Sequence, residues 1–423
     1  MDIFDGPPIS RGKVTRVKNL QVLRKKEVLA LCAMIFTADV YSGITFPTFS
    51  LYAQSLGASL ALIGALSGVA GLTRIFSAVP VGMISDSKGR KNVLSAGMLL
   101  SALSAFLYTV APNPYFLFPI RVLGSLAGVS VFFIGVAYLG DIVAKQERGL
   151  AIGLYTTCMG LGFAVGPFIG GRVAEAYGYR ASYQVATFFA LLGFAIARLG
   201  LVKKPPDRGG VTHLSDVSLY RKLNLMVREP DLLAASLANL LTSVVFGAIM
   251  SFFPLYVASL SVGDAAIGSM FAVRALCSAS ARLPTGLLTT RFSNRIIMLI
   301  SLALMMVVAF AISCITVPVA LGIFLAGEGV AYGVFLTSGQ AFVTERSTES
   351  DRGTALGVYS TAGSLGSAVA PFILGFIADL WGLAAVFGVT GGLVLVGIGA
   401  LEYMSLRQRR ALALRMDAER HIV

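Results

Sequence analysis

Long apolar stretches separated by short polar segments dominate the hydropathy pattern of this chain. Each stretch contains roughly the 20 residues that an α-helix needs to cross about 30 Å of hydrocarbon. The pattern therefore predicts an all-α membrane protein with twelve spanning helices. The predicted spans are residues 28–54, 60–85, 92–111, 115–141, 149–176, 182–202, 232–258, 266–288, 296–316, 318–343, 353–380 and 383–405.

Composition and charge agree with a location in a membrane. Of the 423 residues, 56% are hydrophobic and 13% are charged, whereas about 45–50% and about 25% are usual in soluble proteins. With the amino terminus in the cytoplasm, 27 of the 34 lysines and arginines fall in cytoplasmic segments, as the positive-inside rule requires. We therefore predict a plasma (inner) membrane protein with both termini cytoplasmic. Its net charge of +13 reflects topology and does not indicate nucleic-acid binding.

Chemistry that needs a metal or a cofactor has no support in the sequence. Both histidines lie outside the predicted spans, and all four cysteines lie inside them, as small packing residues do. The chain has no phosphate-binding glycine–lysine motif and no HExxH motif. It also lacks the repeated filter loops or charged rings of a channel. We therefore expect no metal, no cofactor and no catalytic residue, and we do not expect an enzyme.

The chain is an internal repeat with a shift of 204 residues. The pattern Phe-x-Leu-Tyr-x-x-Ser-Leu at 49–56 returns at 253–260, and 16 of the 31 positions in 148–178 are identical to those in 352–382. Such self-similarity indicates duplication. Because each copy has six spans, both copies enter the membrane in the same direction, and carriers of this kind bind substrate near the midplane between the copies.

The repeat defines the expected domain organisation, a 6+6 parallel repeat. Two six-helix bundles are joined by a basic linker and flanked by short cytoplasmic segments. The predicted units are a cytoplasmic N-terminal segment 1–27, an N-terminal bundle 28–202, a cytoplasmic linker 203–231, a C-terminal bundle 232–406 and a cytoplasmic tail 407–423.

The fifth span contains a run of glycine and proline that would weaken a helix in water. Three of its glycines recur every four residues and so line one face of the helix, and a second set of small residues lines another face. Small residues let neighbouring helices approach closely in a bilayer. We expect this helix to pack on two sides and to bend near its proline. The run comprises Gly153, Gly162, Gly166, Pro167, Gly170 and Gly171.

Two motifs resemble signatures of the major facilitator superfamily. The segment Gly-Met-Ile-Ser-Asp-Ser-Lys-Gly-Arg-Lys at 82–91 is similar to the family's loop signature Gly-x-Leu-Ala-Asp-Arg-x-Gly-Arg-Lys between helices 2 and 3. The run from Gly153 to Gly171 matches the antiporter motif of the family's drug:proton exporters at every specified position. Together with the 6+6 layout, the resemblance covers residues 28–406. It implies the two-bundle fold of the family and the function of a 12-span drug:proton antiporter.

Two positions depart from the family pattern. Arg121 begins the sequence Arg-Val-Leu-Gly-Ser, where the family usually has Arg-x-x-Gln-Gly. The second-half copy of the loop signature has Thr290 in place of the acid. The first departure weakens a proton-relay role for Arg121, and the second leaves Asp86 as the single loop acid of its kind.

The same resemblance implies a cytoplasmic gate in the N-terminal bundle. Asp86, Arg90 and Asp141 would form a charge cluster that holds the two halves together when the inner side closes, and solvated charges at helix ends are the alternative. Gly82 and Gly89 would allow a sharp turn between helices 2 and 3. The predicted gate consists of Gly82, Asp86, Gly89, Arg90, Lys91 and Asp141.

Two acids lie near the centres of spans at positions where the other copy is uncharged. These are Asp39 and Glu328, and ionisable groups at such a depth cost about 2.5–3.5 kcal/mol each. Burial favours the neutral form of a carboxyl group and a nearby arginine favours the charged form, so either acid could exchange a proton for substrate. We predict that Asp39 and Glu328 serve in proton coupling or substrate binding and that Arg121 modulates one of them. A buried ion pair of Asp39 with Arg121 or Arg74 is the structural alternative.

Other polar residues within the spans are weaker candidates for the wall of a cavity. Arg74, Arg274 and Arg282 also fit snorkelling or helix packing, and Tyr41 and Gln340 also fit core positions. If several arginines line the cavity, its positive charge suits an anionic or zwitterionic amphiphile, such as a lysolipid or organic acid, as well as a hydrophobic cation.

The sequence as a whole predicts a secondary active transporter that works by alternating access. Proton-coupled export of amphiphilic drugs or other small amphiphiles is the favoured function, carried out by a monomer in the lipid bilayer. A facilitator or symporter of a lysolipid, an organic anion or another small metabolite is the alternative. A third hypothesis is a receptor that has the fold of a carrier but does not transport.

Overall fold

A computed structural model describes residues 25–144, 147–202, 229–347 and 351–420. In these ranges the chain forms twelve long α-helices and a short 3₁₀ turn at Pro114–Phe116. The helices are α1 (Lys26–Ser55), α2 (Leu60–Lys88), α3 (Arg90–Val110), α4 (Leu117–Ile142), α5 (Arg148–Tyr177), α6 (Tyr179–Gly200), α7 (Pro230–Ser259), α8 (Asp264–Leu288), α9 (Asn294–Cys314), α10 (Pro318–Arg346), α11 (Arg352–Trp381) and α12 (Leu383–Arg420).

The helices confirm the predicted all-α membrane fold. Eleven of them are long and apolar enough to cross a membrane by length and composition. Among the described helices α8 is the exception, because Arg274 and Arg282 lower its hydropathy, yet it packs against α5 and α10 as part of the bundle. The helix α12 continues to Arg420, so most of the predicted tail extends the last helix. The predicted segment 1–27 and linker 203–231 lie almost wholly outside the described residues.

The two halves pack in the same way and meet through equivalent helices. In the first half α1 packs on α5 and α6, and α3 packs on α4 and α6. In the second half α7 packs on α11 and α12, and α9 packs on α10 and α12. Between the halves, α2 packs on α11 and α5 packs on α8, two contacts that the repeat relates to each other. The interface therefore has an approximate twofold symmetry.

The glycine face of α5 packs directly against the backbone of α1. A Cβ atom added at Gly166 would lie 2.5 Å from the carbonyl oxygen of Val40 and 2.7 Å from the Cα of Gly43. On another side of the same helix, a Cβ at Gly171 would lie 3.0 Å from the Cα of Gly268 on α8. The helix therefore packs on two sides, and glycine is required because backbone atoms fill the space of a side chain.

Replacing Gly166 with Ala is expected to destabilise the protein. The added methyl group forces α5 away from α1, and overpacking of this kind costs about 1–3 kcal/mol. The change is measured as a lower thermal unfolding midpoint in detergent and a lower yield of folded protein. Gly153→Ala on the same helix is the matched control, because nothing lies within 4 Å of its added Cβ. Equal unfolding midpoints for the two variants would contradict the close packing.

The segment at 82–91, predicted as a loop, is mostly helical. The helix α2 continues through Gly82 and Asp86 to Lys88, and α3 begins at Arg90, so the turn consists of Gly89 alone. Gly89 has a φ of +87°, a conformation that glycine adopts without steric cost. The prediction that Gly82 shares in the turn is wrong, because Gly82 lies inside a continuous helix.

Candidate functional site

A cavity of about 990 Å³ lies between the two halves. Its wall comes from α1 and α5 of the first half and from α7, α8 and α10 of the second. At one end it reaches Glu345, Ser347 and Arg352, where α10 ends and α11 begins on the predicted cytoplasmic face. We call it the large cavity. A pocket of this size between two repeats is the expected place for a small-molecule site in a carrier.

Asp39 lies on the wall of the large cavity. Its side chain is 5% exposed, and its Oδ2 atom has no hydrogen-bond partner among the described residues. The close packing of α5 on α1 positions it, because a Cβ at Gly162 would lie 3.0 Å from the Cβ of Asp39. Most of the other described buried polar atoms without a partner are hydroxyl groups, and a carboxyl group is the costlier of the two to bury alone, so Asp39 is the stronger candidate for a functional group.

Arg282 on α8 carries a positive charge that attracts the Asp39 carboxylate. It lines the same cavity, and its Nε atom is buried without a hydrogen-bond partner among the described residues. Since Asp39 belongs to the first half and Arg282 to the second, their attraction acts across the interface. The structural alternative of an ion pair between Asp39 and Arg121 or Arg74 is not observed in the described residues.

Glu328 lies behind the wall of the large cavity, paired with Arg274. The Nη2 atom of Arg274 donates to Oε1 of Glu328 at 2.9 Å, and its Nε atom donates to Oε2. The side chains are 2% and 0% exposed respectively. The guanidinium group also lies 5.5 Å from the ring centroid of Phe246 and 5.3 Å from that of Tyr332. Arg274 therefore makes a bidentate buried ion pair and does not snorkel, and in this conformation it covers Glu328.

A second cavity, of about 300 Å³, lies within the first half among α1, α2, α3 and α4. Arg74, Arg121 and Tyr41 line this small cavity. The Nε atom of Arg121 donates to the carbonyl oxygen of Leu66 at 3.3 Å, and its guanidinium group lies 4.1 Å from the ring centroid of Phe49. The structure thus divides the predicted site residues between two neighbouring cavities. The large cavity has Asp39, Arg274, Arg282 and Gln340 on its wall.

The predicted cytoplasmic cluster is formed within the first half. Arg90 Nε lies 2.7 Å from Asp141 Oδ2, and Arg90 Nη2 lies 3.9 Å from Asp86 Oδ1. Lys91 Nζ donates to the carbonyl oxygen of Leu201 at 2.5 Å, at the end of α6. These contacts join α2, α3, α4 and α6 within the first half. A role of the cluster in holding the two halves together stays a prediction.

Two acids close the opposite face by accepting hydrogen bonds from helix N-termini across the interface. Asp379 at the end of α11 accepts from the backbone N–H groups of Leu60 and Ala61 on α2, both at 3.0 Å. Glu175 at the end of α5 accepts from the N–H of Ala265 on α8 at 2.8 Å. Sequence reasoning did not assign this role. The signal that could have revealed it is that the two acids occupy equivalent positions 204 residues apart.

The paired variant Glu175→Gln and Asp379→Asn is expected to open this opposite face. Each carboxylate caps a helix N-terminus, and an interaction of that kind contributes about 0.5–2 kcal/mol. Spin labels at Ser55 and Ser259, two exposed serines that the repeat relates, should then move apart in pulsed distance measurements. Glu402→Gln, at an exposed position on α12, is the control. An unchanged distance distribution in the paired variant would show that the acids do not hold this face closed.

Comparison with known proteins places this architecture in a family. The profile of the Major Facilitator Superfamily matches residues 29–263 and 235–414. An uncharacterized MFS-type transporter of Methanocaldococcus jannaschii is 22% identical over 392 residues, which cover 91% of this chain and 99% of that protein. The multidrug resistance protein MdtG of Escherichia coli is 26% identical over 401 residues, which cover 92% of this chain and 96% of that protein.

Solved structures show the same fold at low sequence identity. A mutant of the nucleoside transporter NupG matches with a TM-score of 0.77 at 16% identity, over 89% of this chain and 99% of that chain. A bacterial homolog of the human lysosomal transporter Spinster, in an inward-facing and occupied conformation, matches with a TM-score of 0.76 at 14% identity, over 91% of this chain and 97% of that chain. Because the family profile matches nearly the whole length of this chain, the chain belongs to the Major Facilitator Superfamily of membrane transporters.

Proposed function

We propose that this protein is a proton-coupled exporter of small amphiphiles that works by alternating access. The observation that carries the proposal is Asp39, a buried carboxyl group with an unpartnered oxygen on the wall of the large cavity. Its opposing charge, Arg282, lies on the other half of the molecule. The similarity to a multidrug resistance protein supports the substrate class.

The position of Arg282 gives a physical link between conformation and protonation. In alternating access the two halves rock against each other around a central site, so the separation of Asp39 and Arg282 changes with each cycle. A close guanidinium group stabilises the charged carboxylate, and its withdrawal in a buried site favours a bound proton. A conformational change that alters this separation therefore binds or releases a proton.

The large cavity has the chemistry of a site for amphiphiles. Met159, Phe163, Phe246 and Leu336 supply apolar and aromatic surface. Gln340 adds an amide group to the same wall. Such a mixture, mostly apolar with a few polar groups, is usual for sites that bind small apolar molecules with a polar end. In this conformation a substrate would enter from the predicted cytoplasmic face, which is the loading side of an exporter.

The proposal includes the setting in which the transporter works. We propose a monomer in the plasma membrane with both termini in the cytoplasm, where the bilayer, a small amphiphile and protons are its partners. The distribution of basic residues supports this orientation. Neither a nucleic acid nor a cofactor has a role in the cycle.

Reconstitution into liposomes with an imposed pH gradient tests the proposal. A pH-sensitive dye inside the liposomes reports proton flux when rhodamine 6G or another amphiphilic probe is added. We expect each probe that is transported to dissipate the gradient, in proportion to the amount moved. Probe movement at the same rate with and without the pH gradient would contradict proton coupling. If no probe moved faster in liposomes with the protein than in protein-free liposomes, transport of amphiphiles would be contradicted.

A facilitator or symporter of a lysolipid, an organic anion or another small metabolite is the second candidate. The observation that favours it is the pair of arginines on the small cavity, which suits an anionic group better than a cation. In the liposome assay a facilitator would equilibrate an anionic probe without moving protons. A symporter would move protons in the same direction as the probe.

A further inference from the structure

The small cavity carries charge of one sign only. Arg74 and Arg121 line it, and the described lining residues include no aspartate or glutamate. Within the ranges that the structure describes, neither arginine forms an ion pair. The large cavity differs, because Asp39 and the Arg274–Glu328 pair balance part of its positive charge. The small cavity is therefore a positively charged compartment within the first half.

The two guanidinium groups are held by contacts that leave hydrogen-bonding capacity unused. Arg121 is fixed by the Leu66 carbonyl oxygen and by the face of Phe49. Arg74 donates from Nε to the carbonyl oxygen of Ala70 at 3.5 Å, and its terminal nitrogens donate to no described residue. Both guanidinium groups line the same cavity, so their like charges repel each other. Since an arginine at the membrane centre is costly without a partner, a bound anion would stabilise both.

Hydroxyl groups complete the wall between the arginines. Tyr41 and Tyr108 line the small cavity and can turn their O–H groups toward a ligand, whereas Thr45, Ser101 and Ser104, which also line it, donate to backbone carbonyl oxygens. A hydroxyl group can donate to an oxyanion, and a guanidinium fork matches the geometry of a carboxylate or a phosphate. The donor set of this cavity is thus suited to an oxyanion and offers little to a cation.

The small cavity adjoins the large one at a pair of aromatic rings. Phe46 lines the small cavity and Phe163 lines the large cavity, and their ring centroids are 6.0 Å apart. Arg74 also acts electrostatically on Tyr332, which lines the large cavity. One ligand could therefore place a charged group in the small cavity and an apolar group in the large one.

We propose that the small cavity binds the oxyanion group, a carboxylate or a phosphate, of an anionic or zwitterionic amphiphile whose apolar part lies in the large cavity. The inference rests on the proposed export of amphiphiles and names the charged group of the substrate. The second half has Ser278 and Leu325 at the positions equivalent to Arg74 and Arg121. The anion site therefore exists on one side of the interface only, and it orients the substrate.

Three small probes test the site by calorimetric titration of the purified protein in a neutral detergent. Hexyl phosphate carries both groups, inorganic phosphate carries the anion alone, and hexyltrimethylammonium carries the same chain with a cation. We expect hexyl phosphate to bind about tenfold or more tightly than either of the others, as charge-assisted hydrogen bonds together with apolar burial require. If inorganic phosphate bound as tightly as hexyl phosphate, the ligand would be a free anion, and the proposal that it is an amphiphile would be wrong.

Variants locate the site. Arg74→Gln and Arg121→Gln are each expected to weaken binding of hexyl phosphate about tenfold or more, and the Lys variants, which keep the charge but lose the fork, to weaken it less. Arg291→Gln, at an exposed position just after α8, should bind as wild type does. Unfolding midpoints of the variants show whether they fold. Wild-type affinity in both Gln variants, or tighter binding of hexyltrimethylammonium than of hexyl phosphate, would overturn the proposal.

The same variants separate this site from the transport function. Suppose that wild type exchanges rhodamine 6G for protons in liposomes and yet binds hexyl phosphate no better than Arg74→Gln does. That result would contradict the proposed anion site and leave the proposed proton-coupled export intact. If hexyl phosphate binding requires both arginines while no probe moves protons, the anion site stands and proton coupling is wrong.

Discussion

Replacing Asp39 with Asn is expected to reduce substrate-driven proton flux in liposomes to the level of protein-free vesicles. Asparagine has nearly the shape of aspartic acid but cannot release a proton, so the variant resembles a permanently protonated transporter. Arg282 then has no carboxylate opposite it, and the link between the movement of the halves and proton binding is lost. Proton flux is measured with a pH-sensitive dye after addition of an amphiphilic probe that the wild type transports.

Two controls separate coupling from folding in this experiment. Exchange of labelled for unlabelled probe at equal pH needs no net proton movement, so Asp39→Asn should retain it. Glu402→Gln removes a carboxyl group from an exposed position outside both cavities and should couple as wild type does. Unaltered proton flux in Asp39→Asn would show that another group carries the proton, and Glu328 would be the next candidate to replace.

Replacing Arg274 with Met is expected to destabilise the protein by about 3–5 kcal/mol, because it leaves the Glu328 carboxylate buried without its partner. Both side chains are almost completely buried and share two hydrogen bonds. Replacing both with Met should recover most of the lost stability, since a buried ion pair often contributes little more than an apolar pair of similar size. The unfolding midpoint in detergent measures each variant.

The control for this pair is a more exposed ion pair. Arg346 Nη1 lies 3.0 Å from Asp231 Oδ2, and the two side chains are 54% and 13% exposed respectively, so Arg346→Met should cost clearly less than Arg274→Met does. A wild-type midpoint for Arg274→Met would mean that Glu328 is readily neutralised without its partner. In that case Glu328 would keep the proton-coupling role that the sequence predicts, and its ion pair would be a temporary state.

Hydropathy and repetition carry most of the information about the fold. A helix must be long and apolar to cross a bilayer, so the spans appear in the sequence before any tertiary contact is known. The helix α8 is the exception among the described helices, because Arg274 and Arg282 lower its hydropathy. The fold accommodates these two charged residues on the wall of the large cavity. The continuation of α2 beyond the predicted span 60–85 to Lys88 was not predicted, because hydropathy falls at the polar residues 85–88 although the helical hydrogen bonds continue.

The candidate site was only partly accessible to sequence reasoning. Asp39 and Glu328 stand out in the sequence because an acid is costly inside a membrane and the other copy of the repeat has no charge at either position. The sequence treats the two alike, yet the structure places one on a cavity wall with an unpartnered oxygen and the other in a bidentate ion pair. Arg282 was a weaker candidate than Arg121, although Arg282 is the one that acts on Asp39.

By itself the sequence determined the number of the long helices in the described residues, the duplication and the glycine face that α5 presents to α1, because these follow from hydropathy, period and residue size. The tertiary structure alone decided which charges meet, pairing Arg274 with Glu328 and setting Arg282 against Asp39 and Arg74 beside Arg121. The physical reason is that each of these encounters depends on how two separate helices rotate and pack, and a rotation of one helix by a third of a turn would exchange one partner for another.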